Sequence, residues 1–171
     1  VQVGGGALAS ACIHAFAEGV ELGAIVGSPR VDTVQTTGAW PLRRAYDAVA
    51  ARCGSNTADE RRNALAYAAR HRSEFMWPWE DEPHSIAHGI LDDETYDWLA
   101  VVEGMLATGG SPLVVGEDTL AEAHALALQA TAGRHPVEIA VDVELQQDRR
   151  VVAGASCLCW CCAGESQVCQ I

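Results

Sequence analysis

Val1-Gln2-Val3-Gly4-Gly5-Gly6-Ala7-Leu8-Ala9-Ser10 opens the chain and decides how the rest of it folds. The apolar Val1 to Val3 is expected to be the end of a strand. Three glycines then let the backbone turn sharply and leave its N–H groups bare. A helix is expected from Ala7 to about Glu18, with Leu8, Cys12, Phe16 and Val20 forming a stripe at a spacing of four. Ala7, Ala9, Ser10, Ala11, Ala15 and Ala17 surround that stripe and would let the helix lie close to a sheet. The first N–H groups of a helix lack intrahelical partners, and its start is the positive end of the dipole. Strand, glycine turn and helix start together make a phosphate cradle that needs no basic side chain. The spacing is not the dinucleotide GxGxxG, because Ala9 stands at the last glycine, and no lysine makes it a Walker loop. From the loop alone, a tight strand-to-helix turn with nothing bound is an equal alternative.

Working outward, Val31 to Thr36 is expected to be the next strand. Strand, glycine turn, helix, strand is the grammar of a parallel α/β sheet. Pro41 opens a helix at its favoured first position, with Leu42, Ala45, Tyr46 and Val49 inward and Gly54 as its stop. Thr57 and Glu60 form a capping box for a helix to about His71. Phe75 to Glu82 is expected to be an aromatic loop. Asp92, Asp93 and Glu94 are expected to start a further helix, where its dipole favours negative charge. Trp98, Leu99, Val102, Met105 and Leu106 give that helix a core face, and Gly109 and Gly110 end it. Leu113 to Val115 reads as a short strand. Thr119 and Glu122 suggest a second capping box, before a face of Leu120, Ala123, Ala127 and Leu128.

The style changes after Gly133. Val137, Ile139, Val141, Val143 and Leu145 alternate with mostly polar residues, as in a strand, and Val151 to Trp160 would be its hairpin partner. Two units follow: 1–132, an α/β unit, and 133–171, an atypical Cys-rich tail that is either a β-hairpin or a frameshifted end.

The 171 residues carry 23 acidic groups against 11 arginines and no lysine, a formal charge of −12. Nucleic acids and anionic lipids are held by many Lys and Arg, so neither is an expected partner. No apolar run approaches the ~20 residues of a membrane span. The chain begins at Val1 without a Met or a basic-then-apolar leader, and it is expected to be a fragment. Cys157, Cys159, Cys161, Cys162 and Cys169 crowd the end, while Cys12 and Cys53 are isolated. A secreted disulfide scaffold would spread its cysteines, so the cytoplasm is the expected compartment.

The glycine loop resembles the phosphate-binding loop of fold-type II pyridoxal-phosphate enzymes, the group of threonine synthase, threonine dehydratase and the tryptophan synthase β chain. Ser85-Ile86-Ala87-His88-Gly89-Ile90 resembles the family's segment beside the cofactor. Val31 to Trp40 and Leu113 to Thr131 are similar to its neighbouring elements, and Ile90 to Gly110 is most like threonine synthase. The resemblance covers roughly residues 1 to 132. It implies an open, mostly parallel sheet with helices on both faces, the C-terminal part of a catalytic domain. It implies pyridoxal 5'-phosphate as cofactor, with Gly4, Gly5, Gly6, Ala7 and Leu8 holding its phosphate through backbone N–H groups. Ala87 and Gly89 would lie near its ring.

Two departures stand beside this. The family's Schiff-base lysine lies upstream of the glycine loop, and this chain has no lysine to replace it. The family's Ser or Thr facing the pyridine nitrogen is expected just after Gly133, where the chain reads Arg134-His135-Pro136. No catalytic residue is therefore assigned. The implied activity is a lyase acting on an amino acid or its phosphate ester, threonine synthase-like, in a homo-oligomeric parent. The alternatives are a serine/threonine dehydratase, an inactive remnant that binds phosphate, and a metal module using the terminal cysteines.

Other clusters have plainer explanations. His84 and His88 are four apart, but Pro83 and Gly89 argue for a loop without a metal. His14 and His124 read as core-edge residues. Trp77, Trp79, Trp98 and Phe75 lack the basic stripe of a base-stacking platform and read as packing.

Overall fold

The computed structural model describes residues 1–55 and 57–130. The expected hairpin, the terminal cysteines and the segment after Gly133 lie outside the described residues. The fold is mixed α/β and mostly helical. Its elements are α1 (Ala7–Glu21), β1 (Thr33–Thr36), α2 (Pro41–Cys53), α3 (Ala58–Arg70), α4 (Trp98–Thr108), β2 (Pro112–Val115) and α5 (Glu117–Ala130). Short 3-10 turns lie at Arg72–Glu74 and His88–Ile90.

β1 and β2 pair in parallel, with Thr33 opposite Pro112 and Thr36 opposite Val115. On the other side of β1, Gln2 bridges Val34 in parallel. The Val3 N–H donates to the Val34 carbonyl and the Val34 N–H to the Val1 carbonyl, both at 2.9 Å. The Val1 to Val3 stretch thus lies where a strand end was expected, joined by a single bridge. Because all these pairings are parallel, the chain leaves one edge of the sheet at Gly4–Gly6, at Thr37–Gly38 and at Gly116–Glu117. Ligands of open α/β sheets bind at this carboxyl edge.

Side chains along β1 alternate between faces. Val34 packs with Val115, Leu120 and Ala123, which places α5 on one face. Thr33 Oγ1 donates to the Met105 sulfur of α4, and Gln35 Oε1 accepts from the Leu42 and Arg43 N–H groups of α2. Helices therefore cover both faces of the sheet. The larger core joins α1 to α4 through Leu42, Val49, Phe75, Trp98, Val102 and Met105, among others. Each such large apolar side chain contributes roughly 1.5–3 kcal/mol on burial.

Gln35 is fully buried and caps α2 from the preceding strand. A Gln35→Leu variant would orphan one buried and one half-buried donor, and it is expected to lose about 2 kcal/mol in urea unfolding.

The helix ends follow local chemistry in most places. The Thr57–Glu60 capping box forms in both directions, and Gly109 closes α4 at φ 72°. Elsewhere the structure corrects the sequence reading. The stripe of Leu8, Cys12, Phe16 and Val20 is not the buried face of α1. Leu8 and Val20 are exposed, while Ala9 and Ser10 are buried and Ile13 packs on Gly104 of α4. The small side chains bring α1 against a helix rather than against the sheet. His14 accordingly faces solvent.

α4 begins at Trp98, with no acid in its first turn. Asp92, Asp93 and Glu94 precede it in a loop held by other contacts: the Asp93 carbonyl accepts from Trp79 N–H, and Glu94 pairs with Arg72. α5 starts at Glu117, so Thr119 lies inside its first turn rather than at a cap; the Leu120 N–H donates to the Gly116 carbonyl. No helix among the described residues is long and apolar enough to cross a membrane.

Candidate functional site

Gly4–Gly6 turns the chain from its bridge with β1 into α1. Gly6 sits at φ 96°, a left-handed conformation that disfavours a side chain. Its carbonyl accepts the Ser10 N–H at 2.9 Å, which begins the helix. No side chain caps α1, and no acid lies in its first turn. The N–H groups of Gly4 through Ala9 have no hydrogen-bond partner among the described residues. The starts of α2, α3 and α5 differ, whereas α4, like α1, has no side-chain cap and no acid in its first turn. Gln35 serves α2, the capping box serves α3, and Glu117 and Asp118 bring negative charge to α5. The start of α1 is thus a bare set of donors at the positive end of a dipole.

The segment after the His88–Ile90 turn closes one side of this loop. Asp97 N–H donates to the Gly5 carbonyl at 3.0 Å. A Cβ placed on Gly4 would lie 2.6 Å from Asp92 Oδ2 and 3.0 Å from the Ile90 carbonyl oxygen. One on Gly5 would lie 3.1 Å from the Tyr96 ring, and one on Gly6 3.0 Å from Thr95 Cγ2. Gly4 and Gly6 are therefore closed to side chains, and Gly5 admits one only if the exposed Tyr96 ring shifts. Thr95 is fully buried, and its hydroxyl has no partner among the described residues. The Asp92 carboxylate beside Gly4 opposes an incoming anion.

The carboxyl edge continues into a cavity of about 190 Å³ lined by Thr37, Gly38, Trp79, Asp81, His84 and Glu117, among others. Glu117 Oε2 accepts the Ile86 N–H at 2.9 Å, tying the segment from Ser85 to Ile90 to the start of α5. The tryptophan loop forms one wall and is clamped to α2. The Arg44 guanidinium lies 3.7 Å from the Trp77 ring centre, donates to both Glu80 carboxylate oxygens at 3.0 Å, and donates to the Trp77 carbonyl. Trp79 meets Trp40 edge-to-face at 5.0 Å.

The Trp77 indole N–H, followed by the Glu80 backbone N–H and Arg44, holds the Glu80 carboxyl below its ordinary range. A lowered pKa means that the clamp is complete above the ordinary carboxylate pKa. It is lost as the pH falls through the lowered value. Tryptophan fluorescence is expected to change in that acid range, and Glu80→Gln is expected to remove the transition.

The residues singled out in the sequence are thus distributed as follows. Gly4, Gly5, Gly6, Ala7 and Leu8 form the bare turn and helix start. The segment from Ser85 to Ile90 reaches that loop through the Ile90 carbonyl. The Ala87 side chain packs in the core with Val34 and Leu120, and its N–H donates to Ser85 Oγ. Gly89 is exposed in the 3-10 turn, as is His88. His84 is exposed, with Nδ1 against the Glu82 carbonyl. Among the described residues, no group of three His, Cys, Asp or Glu is placed to hold a metal ion. Thr95, Tyr96 and the Gln35 cap carry no signal in the sequence, and Asp92 reads there only as helix-start charge. They act through backbone proximity between distant segments, which leaves no local periodicity.

A phosphate group fits the bare donors of Gly4–Leu8, with Asp92 as the opposing charge. For the amine partner of pyridoxal phosphate, the chain offers no lysine, and the Val1 ammonium donates to the Asp32 carbonyl at 2.8 Å. No protein-family model matches the chain, and no curated protein matches it.

Proposed function

We propose that the chain supplies the phosphate seat of a fold-type II pyridoxal-phosphate enzyme, a threonine synthase-like lyase acting on an amino acid or its phosphate ester. The observation that carries this reading is the bare helix start at Gly4–Leu8, on the carboxyl edge of a parallel sheet and beside the Ser85–Ile90 segment. In this reading the chain is the C-terminal part of an open-sheet catalytic domain, within a cytoplasmic homo-oligomer. The Gly5, Gly6, Ala7 and Leu8 N–H groups hold the phosphate, and Asp97 N–H fixes the loop through the Gly5 carbonyl. When bound, pyridoxal phosphate supplies an electron sink for a carbanion next to the substrate amine. The Ser85–Ile90 segment, anchored by Glu117, walls the site and limits water.

A second reading, a chain that holds phosphate and turns nothing over, is favoured by the absence of lysine. Calorimetric titration with pyridoxal 5'-phosphate, inorganic phosphate and pyridoxal tests the shared element. Both phosphates are expected to bind and pyridoxal is not. Equal binding of pyridoxal would sink the phosphate-seat account.

A further inference from the structure

We propose a second anion-binding site between α2 and α3, for a small organic anion of phosphate or carboxylate chemistry. A cavity of about 480 Å³ there is lined by Arg52, Glu60, Asn63, Tyr67 and Arg70, with the buried Ala64 also in its wall. It is an open groove, with Arg52, Asn63 and Arg70 exposed along it.

The charge pattern is what singles the cavity out. Acidic groups outnumber arginines about two to one along the chain. Arg30, Arg43, Arg44, Arg62 and Arg72 each pair with a carboxylate. Arg52 and Arg70 pair with none among the described residues, and both line this one cavity. Glu60 also lines it, but its carboxylate accepts from Thr57 N–H and Oγ1 in the capping box.

Arg52 is also pre-positioned. Its guanidinium stacks 3.7 Å from the Tyr67 ring centre, and the Tyr67 ring stacks on His71 at 3.9 Å. The Tyr67 hydroxyl donates to Glu74. Stacking occupies the face of a guanidinium and leaves its edge, the fork of N–H donors that matches carboxylate and phosphate oxygens, free to bind. Asn63, Tyr67 and Arg70 recur at helical spacing on α3, so Asn63 and Arg70 share the wall with Tyr67. Asn63 brings an amide with no partner among the described residues. α2 runs away from the carboxyl edge, so Arg52 near its end stands apart from the glycine loop.

Titration of the isotopically labelled chain, read by nuclear magnetic resonance, tests this. The probes are pyrophosphate and citrate. Saturable shifts of the Arg52 and Arg70 Nε–H signals and the Asn63 amide are expected. An Arg52→Gln/Arg70→Gln double variant changes two exposed side chains, and it is expected to bind at least about tenfold more weakly. The stronger probe identifies phosphate or carboxylate chemistry. Shifts at Gly5–Leu8 report the other seat independently, so either site can fail without the other. No saturable response at Arg52 and Arg70 with either probe would overturn the proposal, as would a response that survives in the double variant.

Discussion

Gly5→Asp is expected to abolish binding of pyridoxal 5'-phosphate while leaving the chain folded. A Cβ at Gly5 would stand 3.1 Å from a Tyr96 ring carbon and 3.4 Å from Asp92 Oδ2. Tyr96 is 67% exposed, so its ring can move aside by the few tenths of an ångström required. The new carboxylate would then sit over the bare N–H groups that the phosphate needs. It would stand one position before the Gly6 cap, where attraction to the helix start offsets repulsion from Asp92, so the fold is expected to hold. Facing two like charges across one seat costs several kcal/mol, or about a hundredfold or more in affinity. Asp92→Asn is expected to act in the opposite direction, strengthening binding severalfold by removing the charge beside Gly4. Calorimetric titration checks both variants, and circular dichroism checks the fold. Undiminished binding by Gly5→Asp would place the phosphate elsewhere.

Gly110→Ala is expected to be among the most destabilising small substitutions in the described residues around the sheet. A Cβ there would lie 1.8 Å from the Val31 carbonyl oxygen and 2.6 Å from its carbon. These are backbone atoms, so no side chain can swing away to make room. The contact sits where the β1–β2 pairing begins. The Ser111 N–H donates to Asp32 Oδ1 at 2.8 Å, the Val31 N–H to Thr108 Oγ1, and the Tyr46 hydroxyl to the Gly110 carbonyl. Shifting either strand disturbs all three bonds. Overpacking of this kind costs about 3 kcal/mol or more. At the size of this chain, that lowers Tm by roughly 6–12 °C. Gly109→Ala is the internal comparison. Gly109 holds φ 72° but has open space where a Cβ would go, so its cost is the left-handed backbone alone, about 1–2 kcal/mol. Thermal unfolding of the two variants is expected to rank them in that order. The reverse order would contradict the close approach of Gly110 to Val31.

Elements defined by their own residues were legible in the sequence. Pro41 and Gly54 bracket α2, Thr57 with Glu60 starts α3, and Gly109 ends α4, because each signal acts within one turn of its own position. The parallel pairing followed from strand, glycine turn, helix, strand. Misreadings occurred where distant contacts decide. The larger side chains of α1 suggested one buried face, but Ile13 packs on Gly104 of α4 and the face that is buried is that of Ala9 and Ser10. The acids at 92–94 suggested a helix start, but Arg72 and the Trp79 N–H hold them in a loop. The glycine loop itself was visible as a run of three. Its cover was not, because Asp92, Thr95 and Tyr96 lie more than eighty residues away, on a segment tied to the loop by the Asp97 N–H bond to the Gly5 carbonyl. The chemistry proposed beyond this loop had no comparable local signature, since the chain lacks the lysine that would mark it.

The most direct measurement is an amide-resolved nuclear magnetic resonance titration with pyridoxal 5'-phosphate. Saturable shifts are expected at the N–H groups of Gly5, Gly6, Ala7 and Leu8, with smaller shifts at Asp92 and Tyr96, and no such response to pyridoxal. Silent glycine-loop amides under saturating ligand, or an equal response to pyridoxal, would contradict the claim that this helix start is a phosphate seat.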